Sequence, residues 1–300
     1  MSARQHESPM TTIRQLTADD LVALKSFLEA RRASSMFLLS NLAASGIVEG
    51  DQPFEGTYVA DFDGEQIIGV AAHYWNGNLM PQTDANAAVL ARAALAASGR
   101  ALKGLVGPQA QCDAVNAAFN LDESKFQLLE RERLYRVTRD ALVVPKAGAQ
   151  VRRAQASDRG ALIDFYREYH IEALNDPPAA ALADAMRDVD RRAASGTQWV
   201  LDQRSAADNS DGLVSACVFN ATVAPTVQIG GVYTPPHLRG RGLARACVAG
   251  ALATAFSEGF AEAILFTGER NVAAWKAYEA IGFRTIGDYC IALLREPFTL

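Results

Sequence analysis

The sequence predicts a mixed α/β protein built from two similar domains in tandem, on three observations. Two segments open alike, as strand, polar cap and then helix: "TTIRQLTADDLVALKSFLEA" near the start and "VRRAQASDRGALIDFY" near the middle. Between them "VVPKAGAQ" breaks every periodic pattern with Pro, Gly and Ala, as a linker does. Each half also interleaves period-two strand signals with runs of helical period.

Taken in order, a strand is expected around Ile13, then a helix capped by Thr17 with Leu21, Leu24 and Leu28 on one face. The stretch "GTYVADFDGEQIIGVAAHYWNGNLMP" alternates and turns at Asp63-Gly64 and Asn76-Gly77, both strong hairpin signals. The cluster His73 to Asn78 looks ligand-like, yet its Asn-Gly pair reads first as a turn. An Ala-rich helix follows over 85–97, then a short strand ending in Gly107-Pro108 and a helix from "QAQCDAVNAAF". A strand ending at Val144 closes the first half. The second half gives a short strand near Val151 and a helix capped by Ser157 or Asp158. Strands are expected at "TQWVLDQ", "GLVSACVFN" and "TVQIGGVYT", the first two separated by the polar loop "RSAADNSD". The alternating charges of "DAMRDVDRRAASG" read as a solvated helix face. The proposed division is therefore 1–145 and 146–300.

Composition narrows the function. A net charge of -5 speaks against a nucleic-acid binder. The four cysteines, Cys112, Cys217, Cys247 and Cys290, have no CxxC pairing, so neither a disulfide framework nor a zinc site is indicated. No apolar run approaches membrane-spanning length, and the polar opening residues Met1 to Met10 lack a signal-peptide core. The expectation is a cytoplasmic protein with no metal, no membrane and no nucleic acid among its partners.

One stretch carries chemistry: "GGVYTPPHLRGRGLARACVAGALATAF". A helix over Leu243 to Phe256 places Leu243, Cys247, Val248 and Leu252 on a packing face. Its start lies in a Gly-Arg turn. Free amides and the dipole at a helix N-terminus make an anion site, and Gly240 and Gly242 let backbone approach a ligand. Arg239, Arg241 and Arg245 add cationic donors in an acidic chain, which suits a multiply phosphorylated ligand. An ordinary solvated turn is the plainer alternative. Two phosphate loops fail the test: the dinucleotide fingerprint needs a small residue where Arg245 stands, and no Gly-Lys-Ser/Thr occurs.

The run from Val232 to Ala244 closely resembles the acyl-CoA-binding motif Pro-x-x-Arg-Gly-x-Gly-x-Ala/Gly of the GNAT superfamily of N-acetyltransferases. Downstream, "AILFTGERNVAAWKAYEAIGFRTIGDYCIALL" resembles that superfamily's next strand, its Asn-containing helix and its Tyr-x-x-x-Gly-Phe signature. The resemblance covers 150–300, and the first half resembles a degenerate GNAT domain. It implies two tandem domains, each a mixed, mainly antiparallel twisted sheet flanked by helices. Val232 and Thr234 would pair with the pantetheine arm of acetyl-CoA, and the Val232 amide would hold the oxyanion. Arg239, Gly240, Arg241, Gly242, Leu243 and Ala244 would hold the pyrophosphate, and Asn271 would contact the cofactor.

Tyr278 lies two helical turns after Asn271, on a face shared with Trp275. By spacing alone it packs with Gly282-Phe283; the resemblance instead makes it the general acid for the departing thiolate. Relatives often place a glutamate on the fourth strand as base. Here Thr226 and Gln228 stand in that region, so proton removal falls to water, or to His170 or Glu172 of "YREYHIEALNDPP". His170 has a suitable unperturbed pKa, but a histidine in such a helix is more often an exposed or packed residue. Asp288 and Cys290 are weaker candidates. The resemblance implies acetyl transfer to a small amine-bearing or peptide acceptor. A non-catalytic acyl-CoA sensor is the alternative, and homodimerisation is left open.

Overall fold

The computed structural model describes residues 12–145, 150–203 and 212–300. The expected linker centre at 146–149, the polar loop at 204–211 and the opening residues before Thr12 lie outside them. The chain forms two compact units, Met1–Arg131 with Asp288–Leu300, and Glu132–Gly287.

In the first unit the elements run β1 (Thr12–Gln15), α1 (Leu21–Glu29), α2 (Arg32–Ser45), β2 (Gly56–Asp63), β3 (Gln66–Tyr74), β4 (Asn78–Thr83), α3 (Ala87–Ser98), β5 (Leu102–Pro108), α4 (Gln109–Ala118) and the start of β6 (Phe126–Thr138). The two predicted hairpins form as β2–β3 and β3–β4, both antiparallel. Their turns hold Gly64 and Gly77 at positive φ, as the Asp-Gly and Asn-Gly pairs require. β4 and β5 then pair in parallel around the α3 crossover. Val59, Ala71, Leu90, Ala94, Leu105 and Val115 pack in one buried cluster, so α3 and α4 cover the sheet.

The second unit repeats that order with β7 (Gln150–Arg153), α5 (Arg159–Ala173), α6 (Pro178–Ser195), β8 (Gln198–Asp202), β9 (Leu213–Val223), β10 (Thr226–Tyr233), α7 (Leu243–Ser257), β11 (Glu262–Gly268) and α8 (Val272–Glu279). β7, β8, β9 and β10 pair antiparallel in succession, and β10 with β11 in parallel. Its core sets Val227, Ile229, Ala263 and Leu265 against Cys247, Val248, Leu252 and Phe256 of α7. α5 and α6 bury Leu162, Tyr166, Ala185 and Val189 with Val200 and Ala216. Each unit is thus a mixed, mostly antiparallel sheet flanked by helices.

The units are not cut at the linear seam. In the second, residues 132–138 of β6 run antiparallel to the whole of β11 and bury Tyr135 and Val137 in its core. In the first, the end of β12 (Arg284–Phe298) pairs antiparallel with β5 from Tyr289 onward. β6 also ends at Thr138, short of the expected Val144, and a turn of 3-10 helix follows over Arg139–Ala141. Val143 and Val144 are half exposed. Their apolar character suggested a strand, but the β11 ladder begins opposite Thr138, and beyond it the Val143 amide donates to the Ile281 carbonyl at 3.1 Å instead of extending that ladder. The face of α6 is less solvated than its charges suggested, since Arg192 is buried with its guanidinium 4.3 Å from the Tyr166 ring centre.

Candidate functional site

The Gly-Arg turn enters α7 where the sheet of the second unit opens. β10 pairs with β11 only from Thr226 to Ile229, opposite Glu262 to Leu265. Past that point both strands continue, β11 to Gly268 beside β6 and β10 to Tyr233 beside β9. The β9–β10 register slips between Gly230 and Tyr233, which makes a bulge at Gly231 and Val232. Gly231 has φ +52 there, and a Cβ would lie 2.9 Å from Val218 Cγ1, so glycine is required on both counts.

Neighbouring side chains fix this bulge. Tyr166 on α5 donates its hydroxyl to the Gly231 carbonyl at 3.0 Å and receives the Gln198 amide at 2.9 Å. Ser215 on β9 donates to the Tyr233 carbonyl at 3.0 Å and lies 3.0 Å from the Thr234 hydroxyl. Tyr166, Gln198 and Ser215 were missed in the sequence. Tyr166 sits at helical spacing among apolar residues and carried only a core signal, and the other two look like ordinary strand polars.

After Thr234 a 3-10 turn, Pro236–Leu238, leads to Gly240 and Gly242, both at φ +76. Gly242 precedes the first residue of α7 with no side-chain cap. Among the described residues no protein group accepts from the amides of residues 240–245. Uncapped donors at a helix N-terminus are the requirement for an anion site. Arg241 and Arg245 are exposed and pair with no carboxylate among the described residues, whereas Arg239 is paired with Glu172, its Nη2 lying 2.6 Å from Oε2.

Asn271 is the residue before α8, and its side-chain oxygen accepts from the Ala274 amide at 3.1 Å. Its Oδ1 therefore has a capping role in the protein itself. Seven residues on, Tyr278 is 7% exposed and packs edge-on to Phe283, with ring centres 5.9 Å apart. The packing with Phe283 expected from spacing is present, and the hydroxyl has no hydrogen-bond partner among the described residues. Burial, with Cys217, Tyr169 and Glu132 nearby, pushes that phenol well above its usual pKa. Tyr169 is pushed up to about 12 in the same surroundings, again chiefly by burial.

The base candidates are engaged. His170 places Nδ1 2.7 Å from Asp176 and Nε2 3.6 Å from Asp188. Burial lowers its pKa, but the two carboxylates outweigh this and the net direction is up. His170, Asp176 and Asp184 bring one possible metal-ligand atom each within 4.8 Å of one another, yet Asp184 pairs with Arg187 and Asp176 with the imidazole, an ion-pair network in its own right. Glu172 gives both oxygens to Arg239, which holds its carboxyl below the usual range. On β10, Thr226 donates to Glu262 at 2.6 Å, and the buried Gln228 turns its amide to the Ile229 carbonyl at 2.7 Å. Cys290 is buried and belongs to the first unit, with Asp288 at that unit's boundary. The first unit's open cleft, about 490 Å³ and lined by Phe27, Arg31, Asp61 and Glu65, contains none of the anticipated residues.

Residues 160–283, from α5 to the residue before β12, match the family model described as the acetyltransferase (GNAT) family. This segment is a GNAT-family domain. The GNAT family uses acetyl-CoA as a substrate, so its chemistry is acetyl transfer. Among solved structures, a Drosophila protein aligns over 94% of this chain and 98% of its own at 13% identity, with a TM-score of 0.65. A GCN5-related N-acetyltransferase from Sphaerobacter thermophilus aligns over 97% and 98% at 14% identity, with a TM-score of 0.58. A functionally unknown conserved protein from Staphylococcus epidermidis aligns over 75% and 90% at 13% identity, with a TM-score of 0.52. At such identities the likeness is one of fold. No curated protein matches the sequence. No helix among the described residues is long and apolar enough to cross a membrane.

Proposed function

We propose that the protein is an acetyl-CoA-dependent N-acetyltransferase that passes the acetyl group directly from the thioester to an amine. The uncapped Gly-Arg turn at the opening between β10 and β11, inside the segment that matches the family, carries this reading. Residues 240–245 receive the pyrophosphate on their amides, and the Val232 and Thr234 backbone meets the pantetheine arm along the unpaired side of β10. An amine attacks the thioester carbon, the developing oxyanion is held by the Val232 amide, and the C–S bond breaks.

Tyr278 then gives its proton to the departing thiolate. A phenol is protonated at neutral pH, the state a general acid needs, and burial shifts Tyr278 further in that direction. The ion pairs at His170 and Glu172 favour water as acceptor of the amine's proton over either side chain. The connection after β4 has Asp84, Ala85 and Asn86 in place of a Gly-Arg turn, so acetyl-CoA is assigned to the second domain alone.

Thermal unfolding with acetyl-CoA, and with NAD as comparison, tests the donor. A hundredfold excess over Kd is expected to add about 2.7 kcal/mol of stability, and no shift means the turn is structural. With an acceptor found by an amine screen, Tyr278→Phe is expected to lower kcat by about 10²- to 10⁴-fold while CoA affinity holds; full turnover removes the tyrosine from the chemistry. β10 carries no carboxylate, which also suits an acyl-CoA sensor. Tight acetyl-CoA binding with no transfer to any amine would decide for that.

A further inference from the structure

The arginines of the turn are of two kinds. Arg239 lays its guanidinium against Glu172, Nη1 to Oε1 at 2.8 Å and Nη2 to Oε2 at 2.6 Å, while its Nε donates to the Thr234 carbonyl at 2.9 Å. Three of an arginine's five N–H groups are thereby engaged within the protein. Thr234 is itself held through Ser215, which also binds the Tyr233 carbonyl. One side chain therefore ties the last turn of α5, the exit of β10 and the approach to Gly240. Arg241 and Arg245 make no such contacts among the described residues.

We infer that Arg239 and Glu172 form a clasp that positions the Gly-Arg turn, and that the cofactor's phosphates are met by Arg241, Arg245 and the amides of residues 240–245. The inference rests on the transferase reading and reassigns Arg239 from phosphate ligand to positioning residue, and Glu172 from base candidate to its counterpart. A bidentate guanidinium–carboxylate pair fixes orientation as well as charge. An arginine that took phosphate through the same edge would first have to leave Glu172. The two roles consequently give opposite signs on mutation. Glutamine at 172 cannot accept from both prongs of the fork, so the turn loosens if the pair is a clasp; if Glu172 merely competes with phosphate, its loss frees the arginine.

The test is calorimetric titration of CoA into the full chain and its variants over a range of salt. Glu172→Gln and Arg239→Gln are each expected to weaken CoA binding about fivefold, with the double variant no weaker than either single one. Arg241→Gln is expected to flatten the salt dependence, and Glu172→Gln to leave it unchanged. Tighter or unchanged binding in Glu172→Gln, or additive losses in the double variant, would overturn the clasp. If the unaltered protein binds no CoA, the transferase reading fails, and amide hydrogen exchange decides the clasp separately. Faster exchange of the Leu238 and Arg239 amides, which donate to the Pro235 and Pro236 carbonyls, in Glu172→Gln supports it, and an unchanged rate rules it out.

Discussion

His170 and Tyr278 show how far a residue's chemistry depends on what surrounds it. Both were legible as candidates, one from its intrinsic pKa and one from the resemblance to the GNAT superfamily. What the sequence hid was company: Asp188 stands eighteen residues from His170, and Tyr169 lies on a different helix from Tyr278. The imidazole has a stability consequence with a definite sign. Its folded pKa is raised above the unfolded value of about 6.5, so its contribution is complete below that value and is lost as pH rises through the folded pKa. The thermal midpoint of the parent minus that of His170→Gln is therefore expected to be largest near pH 6 and to shrink by pH 8.5. A difference constant across that range would show that the ring acts by packing alone.

Among the elements, α7 depends most on its first turn. Its helical run from Leu243 was readable from spacing, and the turn at its start from the two glycines. The backbone now gives the reason glycine is needed: both have φ +76, and a Cβ on Gly242 would lie 3.0 Å from Arg245 Nε. Gly242→Val is expected to cost about 1–2 kcal/mol from the left-handed backbone of a β-branched residue, and to weaken acetyl-CoA binding at least tenfold. Denaturant unfolding and calorimetry together check this; unchanged affinity would detach the turn from the cofactor. The bulge in β10 was less readable. Gly230-Gly231 announces a break, but that Tyr166 and Ser215 anchor it follows from the packing of α5 and β9.

For the molecule as a whole, the order of strands repeats between the units, while each unit takes one strand from across the expected seam at 145 and 146. The similar openings at Thr12 and Gln150 were visible because strand, cap and helix are local patterns. The strand exchange was not, since β6 follows directly on the first unit's helices and nothing in its alternation names β11 as its partner. A fragment of residues 150–300 would leave β11 with an open edge and remove Tyr135 and Val137 from the core. Expressed alone, it is expected to aggregate or lose its cooperative unfolding transition. A soluble, cooperatively folding fragment that binds acetyl-CoA would show the exchanged strand to be dispensable.

By itself the sequence determined the class of fold, most elements to within a few residues, the two hairpin turns and the Gly-Arg turn with its motif. Hydrophobic period, capping and turn chemistry act over a few residues, and they are written where they act. Tertiary structure decided which strands pair beyond their neighbours, where β10 leaves β11, which arginine is held by a carboxylate, and that His170 lies between two aspartates. Those outcomes turn on distances between residues remote in the chain, and such distances exist only once the sheet and its helices have packed.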